Sequence, residues 1–274
     1  MVKLSKFMGG TKMKSILKKC ISILTCMACA LLLFSSNTIY SEAKTSKAKN
    51  IVVVLDPGHD STHLGCHYEG FEEGLANLYI AYYCKQELEK YNGVTVYMTR
   101  YGFDCPYGAN PDSKASCLTS RVNYAKSVNA DVLVSLHNDY DPDLDASQNG
   151  SKVIVPNANY KPAIATKGTA LGQSILGQLT TTGLTVNNWK YCPNGTGIVT
   201  RDSESATYPD GSAKDYYALI NQAKTAGFTA VIVEHAFCTN TSDRVNHLST
   251  PAQYQQLGIA DATGIANYYG LKLK

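Results

Sequence analysis

Short apolar runs alternate with amphipathic stretches along most of the chain. Runs rich in valine, isoleucine and leucine predict strands at 51–55, 94–99 and 131–136, and helices are predicted between them at about 74–90 and 115–129. In the first of these helices, apolar side chains recur every three to four residues. Such alternation is typical of βαβ units. It predicts an α/β fold with a mostly parallel central sheet and helices on both faces.

The second half of the chain continues this alternation with weaker strand signals. The predicted elements are strands at 153–155, 198–199 and 229–234 and helices at 163–179, 214–226 and 251–269. Pro251 in the first turn of the last helix and Gly270 after it are usual residues at helix ends. No repeat or interdomain linker interrupts the pattern. A single domain is therefore predicted, with long loops at 57–72, 101–114, 138–151 and 184–212.

The first 43 residues differ in character from the rest. Lysines at positions 12 to 19 precede a mostly apolar run at 21–34, which is too short for a comfortable membrane span. Ser41, Glu42 and Ala43 place small residues where a signal peptidase cleaves. The pattern predicts a cleaved signal peptide at 1–43, a secreted chain from residue 44 and no stable membrane span after cleavage. A retained N-terminal anchor is the alternative.

Removal of that segment changes the charge balance. It holds six of the 25 Lys and Arg and one of the 22 Asp and Glu, so 19 basic and 21 acidic residues remain. The formal net charge of +3 therefore belongs to the export signal. No stripe of Lys or Arg follows, and binding to nucleic acid is not expected. The remaining chain of about 230 residues suits one α/β domain with a full core.

Six cysteines remain after the predicted cleavage. They are at positions 66, 84, 105, 117, 192 and 238. An even number in an exported protein permits disulfides. Cys105 and Cys117 flank a turn-rich stretch and are the first pair to test, with free buried thiols as the alternative. No CxxC motif occurs after the signal peptide, which argues against a cysteine-based metal site.

Polar residues follow three of the predicted strands at their carboxyl ends. They are His59, after an Asp-Pro-Gly turn, His137 and Glu234. Because the carboxyl ends of parallel strands meet at one edge of a sheet, these side chains are predicted to share a crevice. A lone histidine would be read as part of an ordinary turn or as a hydrogen-bonded core residue. Two histidines with carboxylates nearby instead favour a zinc hydrolase.

A further carboxylate is needed to complete such a site. Glu69, Glu72 and Glu73 all precede the first helix, where the helix dipole favours negative charge in any case. The segment Glu73-Gly-Leu-Ala-Asn77-Leu78 resembles a pattern in the zinc-dependent N-acetylmuramoyl-L-alanine amidases of the family 3 type, in which a ligand Glu is followed by three residues and Asn-Leu. This resemblance selects Glu73.

The resemblance covers essentially the whole chain after the signal peptide. Its blocks, in order, are Leu55-Asp-Pro-Gly-His59, Val96-Tyr-Met-Thr-Arg100, Arg121-Val-Asn-Tyr-Ala125, Ala130-Asp131 with Ser135-Leu-His137, and Val233-Glu-His-Ala-Phe237 with Asn240. It implies His59, Glu73 and His137 as zinc ligands and Glu234 as the catalytic carboxylate. Asp60-Ser61 and His235-Ala236 stand where the family usually has Gly-Gly and often Leu-Gly. These departures remove no ligand but change the crevice wall.

The resemblance also implies an activity. It implies that residues 44–274 form a zinc amidase catalytic domain that acts at the cell wall on bacterial peptidoglycan, between the lactyl group of N-acetylmuramic acid and L-alanine. The implied cofactor is Zn²⁺, and the sequence identifies no protein activator. The alternatives are a zinc peptidase acting within peptides and a catalytically silent, zinc-containing wall-binding protein. Glu234 argues against the silent protein, because binding alone does not require a carboxylate beside the metal.

Other polar residues have simpler explanations. His63 and His67 follow the first histidine at four-residue intervals, but nearby turn residues argue against a helix that would align them as ligands. His235 is expected to face the opposite side of its strand from the preceding glutamate. The alternating aspartates at 139–145 lack the Gly and Glu of an EF-hand loop, so calcium is not expected.

Overall fold

The computed structural model describes residues 50–108, 114–192 and 195–274, and the predicted signal peptide lies outside these residues. The strands are β1 (Ile51–Pro57), β2 (His67–Tyr68), β3 (Phe71–Glu72), β4 (Val94–Met98), β5 (Val132–Asp139), β6 (Lys152–Ile154), β7 (Ile198–Val199), β8 (Asp202–Thr207), β9 (Ala213–Asp215) and β10 (Thr229–Phe237). The α-helices are α1 (Glu73–Leu88), α2 (Lys114–Ser127), α3 (Pro162–Leu179), α4 (Ala218–Ala226), α5 (Thr241–His247) and α6 (Pro251–Tyr269).

A six-stranded sheet with the order β4-β1-β5-β10-β6-β7 organises these elements. The strands β4, β1, β5 and β10 are parallel neighbours, whereas β6 runs antiparallel to β10 and parallel to β7. Two separate hairpins pair β2 with β3 and β8 with β9. The predicted single α/β domain with a mostly parallel sheet is confirmed.

Helices cover both faces of the sheet because successive strand residues point to opposite sides. Val53 and Leu55 belong to a core shared with α1, α3 and α6. Val54 and Leu133 belong to a second core shared with α2 and α4. All four side chains are fully buried. The continuous apolar runs of the central strands therefore reflect burial on two faces.

The prediction for residues 214–226 was partly wrong. The helix begins only at Ala218, because Ala213–Asp215 forms a strand that pairs with β8. The buried Asp215 carboxylate accepts hydrogen bonds from the backbone N–H of Asn157 and the hydroxyl of Tyr208, the latter at 2.6 Å. These long-range contacts hold the segment extended. The hairpin also occupies part of what was predicted to be the loop 184–212.

The structure contains a disulfide, but not between Cys105 and Cys117, the pair that the sequence suggested testing first. Cys66 and Cys238 are bonded across a sequence separation of 172 residues. Cys105 and Cys117 are free, and their Sγ atoms lie 3.6 Å apart. The bonded pair forms because the loop after β1 and the end of β10 both reach the carboxyl edge of the sheet.

None of the described helices is long and apolar enough to cross a membrane.

Candidate metal centre and active site

His59, Glu73 and His137 come together at the carboxyl edge of the sheet. One nitrogen or oxygen from each lies within 4.8 Å of the others. Glu73 Oε1 is 3.4 Å from His59 Nε2 and 3.2 Å from His137 Nδ1. The three residues come from the turn after β1, the first residue of α1 and the end of β5. Residues far apart in the sequence thus supply three donors to one point.

The turn after β1 fixes the orientation of His59. The backbone N–H of Gly58 donates to the carbonyl of Leu136 at 2.9 Å, which holds the turn against β5. His59 has φ of 61°, a left-handed conformation that is costly for a residue with a side chain. Its Nδ1 donates to the carbonyl of His63 at 3.0 Å. Because Nδ1 carries the proton of this hydrogen bond, Nε2 of the neutral ring has a lone pair, which lies on the side of Glu73.

Two glycines allow the donors to approach the backbone. A Cβ at Gly58 would overlap the imidazole of His137. A Cβ at Gly65 would overlap the carboxylate of Glu73 and the ring of His59. A side chain at either position would displace a donor, so glycine at both positions follows from the packing of the site.

Backbone and amide groups hold the Glu73 carboxylate. Oε2 accepts from the backbone N–H of Cys66 at 2.7 Å, and Oε1 accepts from that of Asn138 at 3.1 Å and from the Asn77 side chain at 3.3 Å. Burial alone would raise the pKa of Glu73, but the hydrogen bond with His137, the charge interaction with His59 and the backbone N–H of Cys66 lower the pKa to about 2. The carboxylate is therefore ionised and fixed.

The role of Asn77 explains the spacing that selected Glu73. One turn of helix separates the two side chains, so the amide of Asn77 reaches both the carboxylate and, at 3.1 Å, the carbonyl of Gly58. Asn138 in turn donates to the Asn77 side-chain oxygen at 2.9 Å. Sequence reasoning quoted Asn77 only as part of a motif and gave Asn138 no role. Asn77 and Asn138 both position the carboxylate of Glu73.

Glu234 lies beside His137 on the neighbouring strand, and the two are partners in the parallel register of β10 and β5. Its Oε2 atom is buried and makes no hydrogen bond within the described part of the chain. Burial and the nearby carboxylate of Asp139 raise the pKa of Glu234 to about 8. A cavity of about 560 Å³ is lined by Glu234 together with all three donors. The four side chains predicted from the sequence therefore share one open site.

His235 lies on the side of β10 opposite to Glu234, as strand alternation predicts. Its Nδ1 donates to the carbonyl of His137 at 2.7 Å, and its Nε2 lies 2.9 Å from Oδ2 of Asp261. The imidazole thus links β5 to α6 behind the site. The geometry supports a role for His235 in local hydrogen bonding.

Buried arginines hold the turn that carries His59. Arg121 donates to Asp56 at 2.7 Å and to the carbonyl of Pro57 at 2.9 Å. Arg100 donates to the carbonyls of Pro57 at 3.0 Å and Gly58 at 3.1 Å. Burial would raise the pKa of Asp56, but Arg121 and hydrogen bonds from two hydroxyl groups lower it below its ordinary value. Sequence reasoning had quoted both arginines without assigning them a role.

A second groove continues from Glu234 and has a volume of about 810 Å³. The aspartate-rich loop at 139–145 forms part of the wall of this groove, so the loop borders the site. Lys152, on the same groove, forms an ion pair with Asp139, and its Nζ lies 4.5 Å from the centre of the Trp189 ring. The guanidinium of Arg201 lies 3.5 Å from the ring centre of Tyr216. The groove therefore offers cations and aromatic surfaces next to the site.

At the edge of this α/β sheet, two imidazoles and an ionised carboxylate form a cluster that could hold a metal ion, and a second buried carboxylate lies beside it. Metallohydrolases use donors of these types. The family model described as N-acetylmuramoyl-L-alanine amidase matches residues 53–267. The chain belongs to this family, which confirms the family predicted from the sequence blocks.

Solved structures have the same fold. Cwp6 from Clostridium difficile has a TM-score of 0.61 at 24% identity over 80% of this chain, which spans only 29% of the length of Cwp6. Ami1, an N-acetylmuramyl-L-alanine amidase from Mycobacterium smegmatis, has a TM-score of 0.62 at 21% identity, covering 82% of this chain and 99% of Ami1. The catalytic domain of CwlV from Bacillus (Paenibacillus) polymyxa var. colistinus has a TM-score of 0.58 at 20% identity, covering 81% and 99%. The search of curated proteins gives no match.

Proposed function

We propose that this protein is a secreted, zinc-dependent N-acetylmuramoyl-L-alanine amidase that cleaves the amide between the lactyl group of N-acetylmuramic acid and L-alanine in peptidoglycan. The observation that carries the proposal is the convergence of His59, Glu73, His137 and Glu234 in one cavity of a chain that belongs to the amidase family. In this proposal the first three residues hold zinc, and Glu234 moves protons. Residues 1–43 are the cleaved signal peptide, and 44–274 form the catalytic domain at the cell wall.

The donor set fits zinc. Ligand atoms about 2.0–2.2 Å from a tetrahedral zinc ion lie about 3.3 Å from one another. The distances of 3.4 Å and 3.2 Å from Glu73 Oε1 to the two histidine nitrogens agree with this geometry. The hydrogen bond from His59 Nδ1 to a backbone carbonyl is the kind of outer contact that orients a ligand histidine. Three protein ligands leave a fourth position open towards the cavity.

Glu234 supplies the proton transfers. When bound, zinc would polarise the scissile carbonyl and lower the pKa of a water molecule towards about 7. A bound zinc ion would favour the ionised form of Glu234. In that form its buried Oε2, which has no hydrogen-bond partner among the described residues, would accept the proton of the attacking water. The same oxygen then gives that proton to the amine of L-alanine as the amide bond breaks. General acid–base catalysis of this kind contributes about 10²–10⁴-fold in rate.

The second groove supports peptidoglycan as the substrate. Arg201 provides positive charge for the carboxylates of the stem peptide, and Trp189 and Tyr217 provide aromatic surface for sugar rings. Glu234 lines both this groove and the proposed metal cavity. A glycan strand that lies in the groove therefore passes the proposed catalytic carboxylate. Peptidoglycan is thus the proposed partner.

Digestion of purified peptidoglycan, followed by mass spectrometry of the products, tests which bond is cleaved. An amidase leaves intact glycan strands and free stem peptides that begin with L-alanine. Products in which L-alanine stays attached to muramic acid would instead indicate a zinc peptidase. Binding to the wall without any new amino terminus would indicate the catalytically silent alternative.

A further inference from the structure

A second cluster of metal-binding side chains lies next to the proposed active site. Asp60, His63, Cys105 and Cys117 each offer one donor atom, and these atoms all lie within 4.8 Å of one another. They come from the turn after β1, the segment after β4 and the first turn of α2. Asp60, His63 and Cys117 are buried, and Cys105 is half-buried. Three separate segments thus bring two sulfurs, one imidazole and one carboxylate together.

The spacing of these donors fits a single tetrahedral zinc ion. Two thiolates bound to zinc at about 2.3 Å lie about 3.8 Å apart, and the Sγ atoms of Cys105 and Cys117 are 3.6 Å apart. A nitrogen and an oxygen on zinc lie about 3.3 Å apart, and His63 Nδ1 is 3.1 Å from Asp60 Oδ1. Both pairs therefore lie at the separation of ligands on one ion.

Charge and orientation also fit. Two thiolates and one carboxylate carry three negative charges, of which a divalent ion neutralises two. Arg121 donates to Asp60 Oδ2 at 2.9 Å and from Nε to the sulfur of Cys117 at 3.4 Å. The guanidinium of Arg121, which is also paired with Asp56, thus contacts and orients two of the donors, as outer contacts do in metal sites.

We propose that Asp60, His63, Cys105 and Cys117 bind a second zinc ion in a structural site. Four protein ligands complete a tetrahedral shell, whereas three leave a position for catalysis. Asp60 directly follows His59, and Arg121 also donates to the carbonyl of His59 at 3.3 Å. The second ion therefore stabilises the turn that carries one proposed ligand of the first. The absence of a CxxC motif does not exclude this site, because its ligands come from different segments.

The competing state is a disulfide between Cys105 and Cys117, which would remove both sulfur ligands. The protein, purified without chelator or reductant, is analysed for zinc by mass spectrometry and for zinc–sulfur distances by X-ray absorption. The proposal predicts two zinc ions per chain and a sulfur shell near 2.3 Å. The double substitution Cys105→Ser and Cys117→Ser should reduce the zinc content to one ion per chain, and that ion should show no zinc–sulfur distance. Cys192→Ser, a buried cysteine outside the cluster, retains both ions.

Wild-type protein that contains zinc but no zinc–sulfur distance would overturn the proposal, as would a Cys105–Cys117 disulfide in the peptide map. This measurement on the wild type does not depend on folding of the variants. It is also independent of the proposed activity, because the amidase site has no sulfur donor. Glu73→Ala should lose the zinc bound by nitrogen and oxygen alone and retain the sulfur-bound ion.

Discussion

Glu234 and His137 lie side by side as register partners on neighbouring parallel strands. Register partners point to the same face, so the sheet places the carboxylate of Glu234 next to the imidazole of His137. The pairing shifts after Glu234 and resumes at Phe237 and Asp139. Both strands are central and buried, so two of the four proposed site residues are held by the sheet itself.

Removal of the Glu73 carboxylate tests the ligand assignment. Glu73→Ala should lose one zinc equivalent and amidase activity, because the two histidines alone hold zinc poorly. Zinc content after dialysis measures this loss. Glu72→Ala is the matched control, because the adjacent Glu72 makes no side-chain cap to α1 and lies outside the donor cluster. Equal zinc content in the two variants would contradict the assignment.

The packing of Gly65 predicts that a single methyl group damages the site. Gly65→Ala should weaken zinc binding and reduce activity, because the new Cβ would overlap the Glu73 carboxylate and the ring of His59. Competition with a chelator measures the zinc affinity. Gly177→Ala, in the helix α3 with open space around its Cα, should leave zinc affinity unchanged and keep or increase stability. Unaltered zinc affinity of the Gly65 variant would count against the described packing.

The disulfide is expected to support both stability and the site. Replacing Cys66 and Cys238 by serine should lower the free energy of unfolding by about 2–5 kcal/mol, because the unfolded chain gains freedom. The backbone N–H of Cys66 also holds Glu73, so zinc affinity should fall as well. Denaturant unfolding and zinc competition measure the two effects. A variant as stable as the wild type would show that the bond is absent or unimportant in the native protein.

The lowered pKa of Asp56 predicts that the protein loses stability in acid. The pKa of this carboxyl is lowered in the folded protein, so its contribution is present above the unfolded value of 3.8 and is lost as pH falls through the lower folded pKa. Asp56→Asn should remove this part of the pH dependence. It should also cost about 3–5 kcal/mol near neutral pH, because Arg121 loses a buried partner. Unfolding measured from pH 2 to 7 tests both effects, and an unchanged acid slope would contradict the prediction.

Much of the fold follows from local sequence pattern. The last helix was predicted at its observed limits from Pro251 in its first turn and Gly270 after it. In the structure, Thr250 and Gln253 also form a capping box, and Gly270 ends the helix with a left-handed φ of 65°. The central strands were predicted because their apolar runs are buried on both faces. The antiparallel pairing of β6 with β10 and the hairpin at Asp215 depend on tertiary contacts, so the local pattern did not indicate them.

That the residues of the candidate site come together was predictable to a similar degree. Strand ends indicated His59, His137 and Glu234, because parallel strands bring such residues to one edge. Periodicity could not choose Glu73 from its neighbours, and only the family resemblance did. The Cys66 to Cys238 bond was not foreseen, because cysteine pairing depends on how loops meet in three dimensions.

The most direct test of the central claim measures zinc content and peptidoglycan cleavage together in Glu234→Gln. The substitution keeps the size of the side chain but removes its ability to accept a proton. The account predicts zinc content equal to that of the wild type and a loss of about 10²–10⁴-fold in the release of peptides that begin with L-alanine. Near-normal release would contradict the proton-transfer role, and loss of zinc would make Glu234 a ligand instead.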